Sequence, residues 1–171
     1  SSDVALINSG GIRGGAIYPA GEFSERTLAD ILPFGDRIFV LTLTGKELRW
    51  VLEVSASALI ADETDDYDPT KRLHKGSFLQ VSGLKAVYDL SEPPTVMKDD
   101  RVLTLGSRLE SLLVLKDGGW EEVMDEGTYT VATTGWMVNG GDGEKYEVLR
   151  SAPRVETPYL DTDAFAEYLS V

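Results

Sequence analysis

The sequence predicts an α+β domain: a mixed, mostly antiparallel sheet with a few packing helices, in one domain. Two observations carry the class. About eight short apolar runs of strand length are interleaved with two longer segments of helical spacing. Several of the strand-like runs are joined by connections too short for a crossover helix, which makes those neighbours antiparallel. At 171 residues the chain is long enough for one real core, and no repeat, linker or low-complexity stretch divides it.

Taken in order, Val4-Ala5-Leu6-Ile7 opens the chain as a short buried strand reaching Asn8. Residues 24–31 read as a short helix with Ser24 as N-cap, stopped by Pro33. Residues 37–43 read as a strand. Thr44-Gly45-Lys46-Glu47 is a capping box, in which the Thr44 hydroxyl accepts from the Glu47 amide while the Glu47 side chain reaches back. Leu48, Val51, Leu52, Ser55 and Leu59 follow at helical spacing, so that helix is expected to run to about Leu59. Residues 62–75 are polar and acidic around Pro69 and read as a surface loop. Their spacing does not match a calcium loop. Residues 78–81 and 84–90 read as strands about a Ser82-Gly83 turn or bulge. Residues 101–105, 112–116 and 120–123 are also strands, the last two joined across Asp117-Gly118-Gly119. Residues 129–134 form another. Asp161 is the expected N-cap of a closing helix over 162–169, with Phe165, Tyr168 and Leu169 on its apolar face.

The formal net charge of −13 argues against nucleic acid, which requires a basic face, and against anionic membrane surfaces. It does not exclude a small anionic ligand beside a local arginine. No apolar run is long enough to span a bilayer. There are no cysteines, so disulfides and thiolate metal sites are excluded, and the single His74 falls in a polar loop. The chain begins at Ser1 and opens directly on a strand, the pattern expected of a segment of a longer protein.

The first chemically suggestive motif is Asn8-Ser9-Gly10-Gly11-Ile12-Arg13-Gly14-Gly15, directly after the first strand. Glycines allow close approach of a ligand to the main chain, and arginine offers a planar fork of donors to phosphate or carboxylate oxygens. The same residues also fit a glycine-rich turn with a surface arginine. A second glycine motif, Asn139-Gly140-Gly141-Asp142-Gly143, follows the strand-like run at 129–133, and Gly76-Ser77-Phe78-Leu79-Gln80-Val81-Ser82-Gly83-Leu84 lies between the two. In this order the three segments resemble the C-terminal domain of the 5′-nucleotidase family, which includes periplasmic UDP-sugar hydrolases and cell-surface ecto-5′-nucleotidases. Leu32-Pro33-Phe34-Gly35, residues 43–48, Val87-Tyr88-Asp89-Leu90-Ser91 and Tyr129-Thr130-Val131-Ala132 extend the resemblance over about residues 4–169.

The resemblance implies a nucleoside or nucleotide site. It implies that Asn8, Gly11 and Arg13 contact ribose and phosphate, with Arg13 the cation. Phe78 would form one jaw of a base clamp, and Gln80, on the same side of the strand, would meet the base edge. Core packing is the other reading of Phe78. An aromatic is expected directly after Gly-Gly-Asp-Gly, but Glu144 stands there. Tyr146 is then the expected second jaw, and Glu144 or Glu147 the ribose contact. Gly140, Gly141, Asp142 and Gly143 are expected to shape the loop, with Asp142 capping neighbouring amides.

Two-metal hydrolysis of a phosphate ester needs a cluster of Asp, His and Asn ligands. One histidine and no such cluster make this chain, by the resemblance, the substrate-recognition part of a metal-dependent phosphohydrolase. It carries no catalytic residue or cofactor of its own. Two divalent metals would reside in an N-terminal metallophosphoesterase domain, its expected partner. The expected location is extracellular, periplasmic or at the cell surface. A stand-alone non-catalytic nucleoside-binding module, or a structural domain of a cell-surface protein, is the alternative.

Overall fold

A computed structural model describes residues 2–59 and 76–170 of the chain. The loop at 62–75, with His74, lies outside the described residues. The elements run β1 (Val4–Asn8), α1 (Glu25–Ile31), β2 (Arg37–Thr44), α2 (Gly45–Ala56), β3 (Leu79–Ser82), β4 (Leu84–Tyr88), β5 (Val96–Lys98) and β6 (Arg101–Thr104). They continue with β7 (Leu109–Lys116), β8 (Gly119–Glu122), β9 (Thr128–Thr134), α3 (Gly135–Val138), α4 (Glu147–Ser151), β10 (Arg154–Leu160) and α5 (Asp161–Leu169).

The main sheet has the strand order β10-β2-β9-β1-β3. Only β1 and β9 pair in parallel, with Val4 opposite Val131 and Ala5 opposite Ala132; the other pairs are antiparallel. The expected mixed, mostly antiparallel α+β class is therefore what the chain adopts. A three-stranded antiparallel sheet, β4-β7-β8, and the β5-β6 ribbon complete it.

Helix α2 sits in the middle of the core. It packs against β2 on one side and β7 on the other. Leu48, Val51, Leu52, Val54, Ser55 and Ala56 are all buried, so this helix is covered on more than one face. The capping box at its start is present as expected: Glu47 N donates to Thr44 Oγ1 at 3.2 Å, and Thr44 N donates to Glu47 Oε2 at 2.7 Å. The buried Glu53 carboxylate accepts from Arg108 N at 3.0 Å and Leu109 N at 2.6 Å, which pins the start of β7 to the helix. On the opposite face of the main sheet, Ala5 and Ile7 line a groove with Ile31, Leu32, Ala164 and Phe165, where α1 meets α5.

Ser24 caps α1 as expected, accepting from Thr27 N at 3.2 Å. Asp117 and Gly118, both at positive φ, make the two-residue turn between β7 and β8. Two expectations need correction. Helix α2 stops at Ala56 rather than Leu59, because Ser57 Oγ donates to Val54 O at 2.6 Å and the Arg108 guanidinium donates to the carbonyls of Ala56 and Leu59. Asp161 is the first residue of α5, not its cap; Leu160 N donates instead to Asp163 Oδ2 at 3.2 Å. Strands β5 and β10 and helices α3 and α4 were not expected. Strand β10 contains Pro158, which is tolerated because this is an edge strand whose register breaks between Glu156 and Leu160. Among the described residues no helix is long and apolar enough to cross a membrane.

Candidate functional site

The parallel pair β1 and β9 ends at Asn8 and Thr134, and a cleft of about 620 Å3 opens at these carboxyl ends. Open sheets place ligands at this end of parallel strands, because loops that leave the strands there form a crevice. The cleft is lined by Ile7, Asn8, Gly10, Gly11 and Arg13 from the first segment, then Phe34 and Asp36, Gly76 and Ser77, Thr134 and Trp136, Asp142 and Lys145, and Asp161.

The first glycine motif is held by the segment before β3. Ser9 N donates to Phe78 O and Gly10 N to Gly76 O, both at 2.7 Å. Asn8 is buried beneath the turn. A side chain at Gly11 would start 3.0 Å from Asn8 Oδ1, so the buried Asn8 amide would have to give way to it. Arg13 is exposed. Its backbone N–H donates to Ile31 O at 2.8 Å, tying it to the end of α1, and its guanidinium carbon lies 5.4 Å from the centroid of the Phe34 ring. Among the described residues no carboxylate lies within ion-pair distance of Arg13. Its charge is thus available to a ligand.

Phe34 is 61% exposed and Trp136 is 51% exposed. Both rings line the cleft, where their exposed faces are open to a flat ligand. Trp136 is fixed at its backbone: its N–H donates to Asp36 Oδ2 at 3.2 Å, and its carbonyl accepts from Gly141 N at 2.9 Å. Its indole lies so close over Gly141 that any side chain there would overlap it.

Three carboxylates enter the cleft. Burial raises the pKa of Asp142, although Lys145 opposes this. Contrary to expectation, Asp142 caps no amide: its side chain makes no cap hydrogen bond, and its buried Oδ2 has no hydrogen-bond partner. Burial also raises Asp161, with the neighbouring Asp36 adding to the shift. Lys145 lies 3.7 Å from Asp100 Oδ1.

Of the residues expected at a site, Asn8, Gly11, Arg13 and Asp142 come together here. The others stand elsewhere. Phe78 is half-buried with its ring centroid 6.5 Å from that of Tyr88, outside the cleft lining, because Leu79 takes the core-facing position beside it. Gln80 is exposed on β3 and donates from Nε2 to Ser9 Oγ at 3.0 Å, so it braces the glycine turn from the side. Tyr146 is 2% exposed and is core, not an open jaw; its hydroxyl donates to Ser77 O at 2.6 Å. It thereby holds one cleft-lining residue in place. Glu144 is paired with Arg101, whose Nη2 lies 3.1 Å from Oε1, and it faces another cavity together with Glu147. The glycines of the second motif serve its turn: Gly140 and Gly143 have positive φ.

Sequence reasoning missed Phe34, Trp136, Asp36 and Lys145. A signal existed for Phe34, since it sits in the tight Leu32-Pro33-Phe34-Gly35 turn, where a phenyl ring cannot reach the core. For Trp136 there was none, because its exposure depends on a four-residue helix. Among the described residues, no three His, Cys, Asp or Glu side chains converge as a metal-ligand set.

This open mixed sheet, with a glycine-lined cleft at the ends of its parallel strands, is an α+β domain. Residues 1–151 match the family described as 5′-nucleotidase, C-terminal domain, and the chain belongs to that family. It is 30% identical over 167 residues to the trifunctional nucleotide phosphoesterase protein YfkN of Bacillus subtilis, covering 97% of this chain and 10% of that protein. It is 35% identical over 147 residues to the human 5′-nucleotidase, covering 82% of this chain and 21% of that protein. Its fold matches the crystal structure of the 5′-nucleotidase precursor from Thermus thermophilus with a TM-score of 0.74 at 33% identity, over 98% of this chain and 28% of that one. The chain therefore spans a third or less of these proteins.

Proposed function

We propose that this chain is the substrate-recognition domain of a metal-dependent phosphohydrolase of the 5′-nucleotidase type, acting on nucleoside phosphates. The observation that carries the reading is the pairing of an unneutralised Arg13 with the exposed Phe34 ring in one cleft. A nucleotide presents a flat base and a phosphate separated by a sugar, and these two side chains match its two ends. Stacking a base on an aromatic face is worth about 1–3 kcal/mol. An arginine fork binds phosphate oxygens through paired N–H donors. In this reading Phe34 and Trp136 flank the base. Arg13, with the backbone of Gly10 and Gly11, takes the phosphate, and Asn8 and the unpartnered Asp142 Oδ2 receive the ribose hydroxyls.

The chain's own part in the reaction is binding and orientation. The two divalent metals that would activate water belong to an N-terminal metallophosphoesterase domain, the partner of this one. That domain's place is outside the cytoplasm: extracellular, periplasmic or on the cell surface. The chain alone is therefore expected to bind nucleotides and release no phosphate from them. Calorimetric titration with adenosine and with AMP tests the reading. Both should bind, AMP more tightly, and Phe34→Ala should weaken both. Saturable binding of neither ligand would contradict it.

A further inference from the structure

The second glycine loop separates two cavities. Asp142 and Lys145 face the cleft described above, whereas Asn139 and Glu144 face a larger cavity of about 910 Å3. Trp50 of α2, Arg101 of β6, and Arg150 and Arg154 at the end of α4 and the start of β10 line it, with Glu147. Three of the nine arginines of a chain with net charge −13 thus meet in one place.

Their charges are not all neutralised. Arg101 is matched by Glu144, and Glu147 adds to the field at Arg101. Arg154 donates from Nη1 to the carbonyls of Val138 at 2.8 Å and Arg150 at 3.3 Å, and its guanidinium lies 5.8 Å from the Phe39 ring centroid. Those partners fix its position without cancelling its charge. Arg150 is seated against Gly140, where an added side chain would begin 3.1 Å from its Nε. Among the described residues neither Arg150 nor Arg154 has a carboxylate within ion-pair distance. With 29 acidic residues in the chain, two guanidinium groups line this cavity without a carboxylate at ion-pair distance, although Glu144 is near enough to feel the Arg150 charge. Two guanidinium forks lining one cavity suit an anion with several oxygens on more than one centre.

We propose that this cavity is a second anion site, distinct from the Arg13 cleft, that takes a diphosphate-like oxyanion. Arg150 and Arg154 grip its oxygens, the Asn139 amide supplies a further donor, and Trp50 forms the apolar wall. The site stands independently of the nucleotide reading, since it uses none of the cleft residues.

The test is calorimetric titration of the chain with sodium pyrophosphate at low ionic strength. Wild type should bind saturably. Arg150→Ala should weaken that binding about tenfold or more, and Arg150→Lys by less, since it keeps the charge and loses the fork. Arg150 is exposed, so circular dichroism should show an unchanged fold in both. Lys116→Ala, which removes an exposed cation lining neither cavity, should leave pyrophosphate affinity unchanged. No saturable binding by wild type, undiminished binding by Arg150→Ala, or an equal loss in Lys116→Ala would each overturn the proposal.

Discussion

The Arg13 guanidinium lies over the Phe34 ring, 5.4 Å from its centroid, on the rim of a cleft that both side chains line. A cation over an aromatic face at an exposed site gains about 0.5–1 kcal/mol from the ring quadrupole. That is enough to bias the orientation of a long flexible side chain and too little to lock it. The two groups reach this position by different routes. Arg13 follows the glycine turn after β1, and Phe34 follows the Pro33 stop after α1. The hydrogen bond from Arg13 N to Ile31 O at 2.8 Å joins those routes.

Phe34→Ala should weaken adenosine binding by about 1–3 kcal/mol, the value of one base–aromatic stack. Because the ring is 61% exposed, the melting temperature should barely move. Calorimetry and a thermal melt on the same variant separate the two effects. Unchanged adenosine affinity would place the base elsewhere.

Gly141→Ala should act through Trp136. Any side chain at this position overlaps the indole, so the ring must move away. Tryptophan emission should shift and adenosine affinity should fall. A variant with wild-type emission and wild-type affinity would show that the indole's seat on Gly141 is irrelevant to the cleft.

Asp142→Asn should stabilise the chain at neutral pH. Burial raises the Asp142 pKa above the unfolded value of 3.8. Between the two values the native state binds more protons than the unfolded state, so stability falls as pH rises through that window. Above it the penalty of the buried charge is complete, and the amide removes it. At about pH 2, well below 3.8, both states are protonated and the gain should vanish. Thermal melts at the two pH values check this; an equal gain at both would mean that charge is not the cause.

Tyr146→Phe separates positioning from clamping. The loss of the hydroxyl's bond to Ser77 O should cost about 1 kcal/mol of stability. Tyr146→Ala should cost about 3–5 kcal/mol, as for other large aromatic truncations in a core. Chemical denaturation reads both. A Tyr146→Phe variant of wild-type stability with much weaker nucleoside binding would restore the ring to the site.

Much of this was legible in the sequence, for identifiable reasons. The capping box at Thr44, the Ser24 cap and the Asp117-Gly118 turn are local devices whose chemistry lies within four residues. Asn8 and Arg13 were legible because they flank a glycine turn at a strand end. The aromatic faces were not. Choosing between Phe34 and Phe78, or between Trp136 and Tyr146, requires knowing which side of each turn meets solvent. Contacts distant in sequence decide that: Asp36 and Trp136, and Ser77 and Tyr146, meet across 100 and 69 residues. The acidic Glu144 was read toward the cleft because its partner, Arg101, lies 43 residues away on a strand whose pairing the sequence did not reveal. The β5–β6 hairpin turns on Asp99 and Asp100 at positive φ, without the glycine that usually marks such a turn.

The central claim is that Arg13 reads phosphate beside a base held at Phe34. Arg13→Lys tests it most directly, because it keeps the charge and removes the bidentate fork. Calorimetry should compare AMP with adenosine on the wild-type chain and on this variant. The wild type should bind AMP more tightly than adenosine, and the variant should lose about tenfold in AMP affinity with adenosine affinity unchanged. Equal losses for both ligands, or no loss for either, would contradict it.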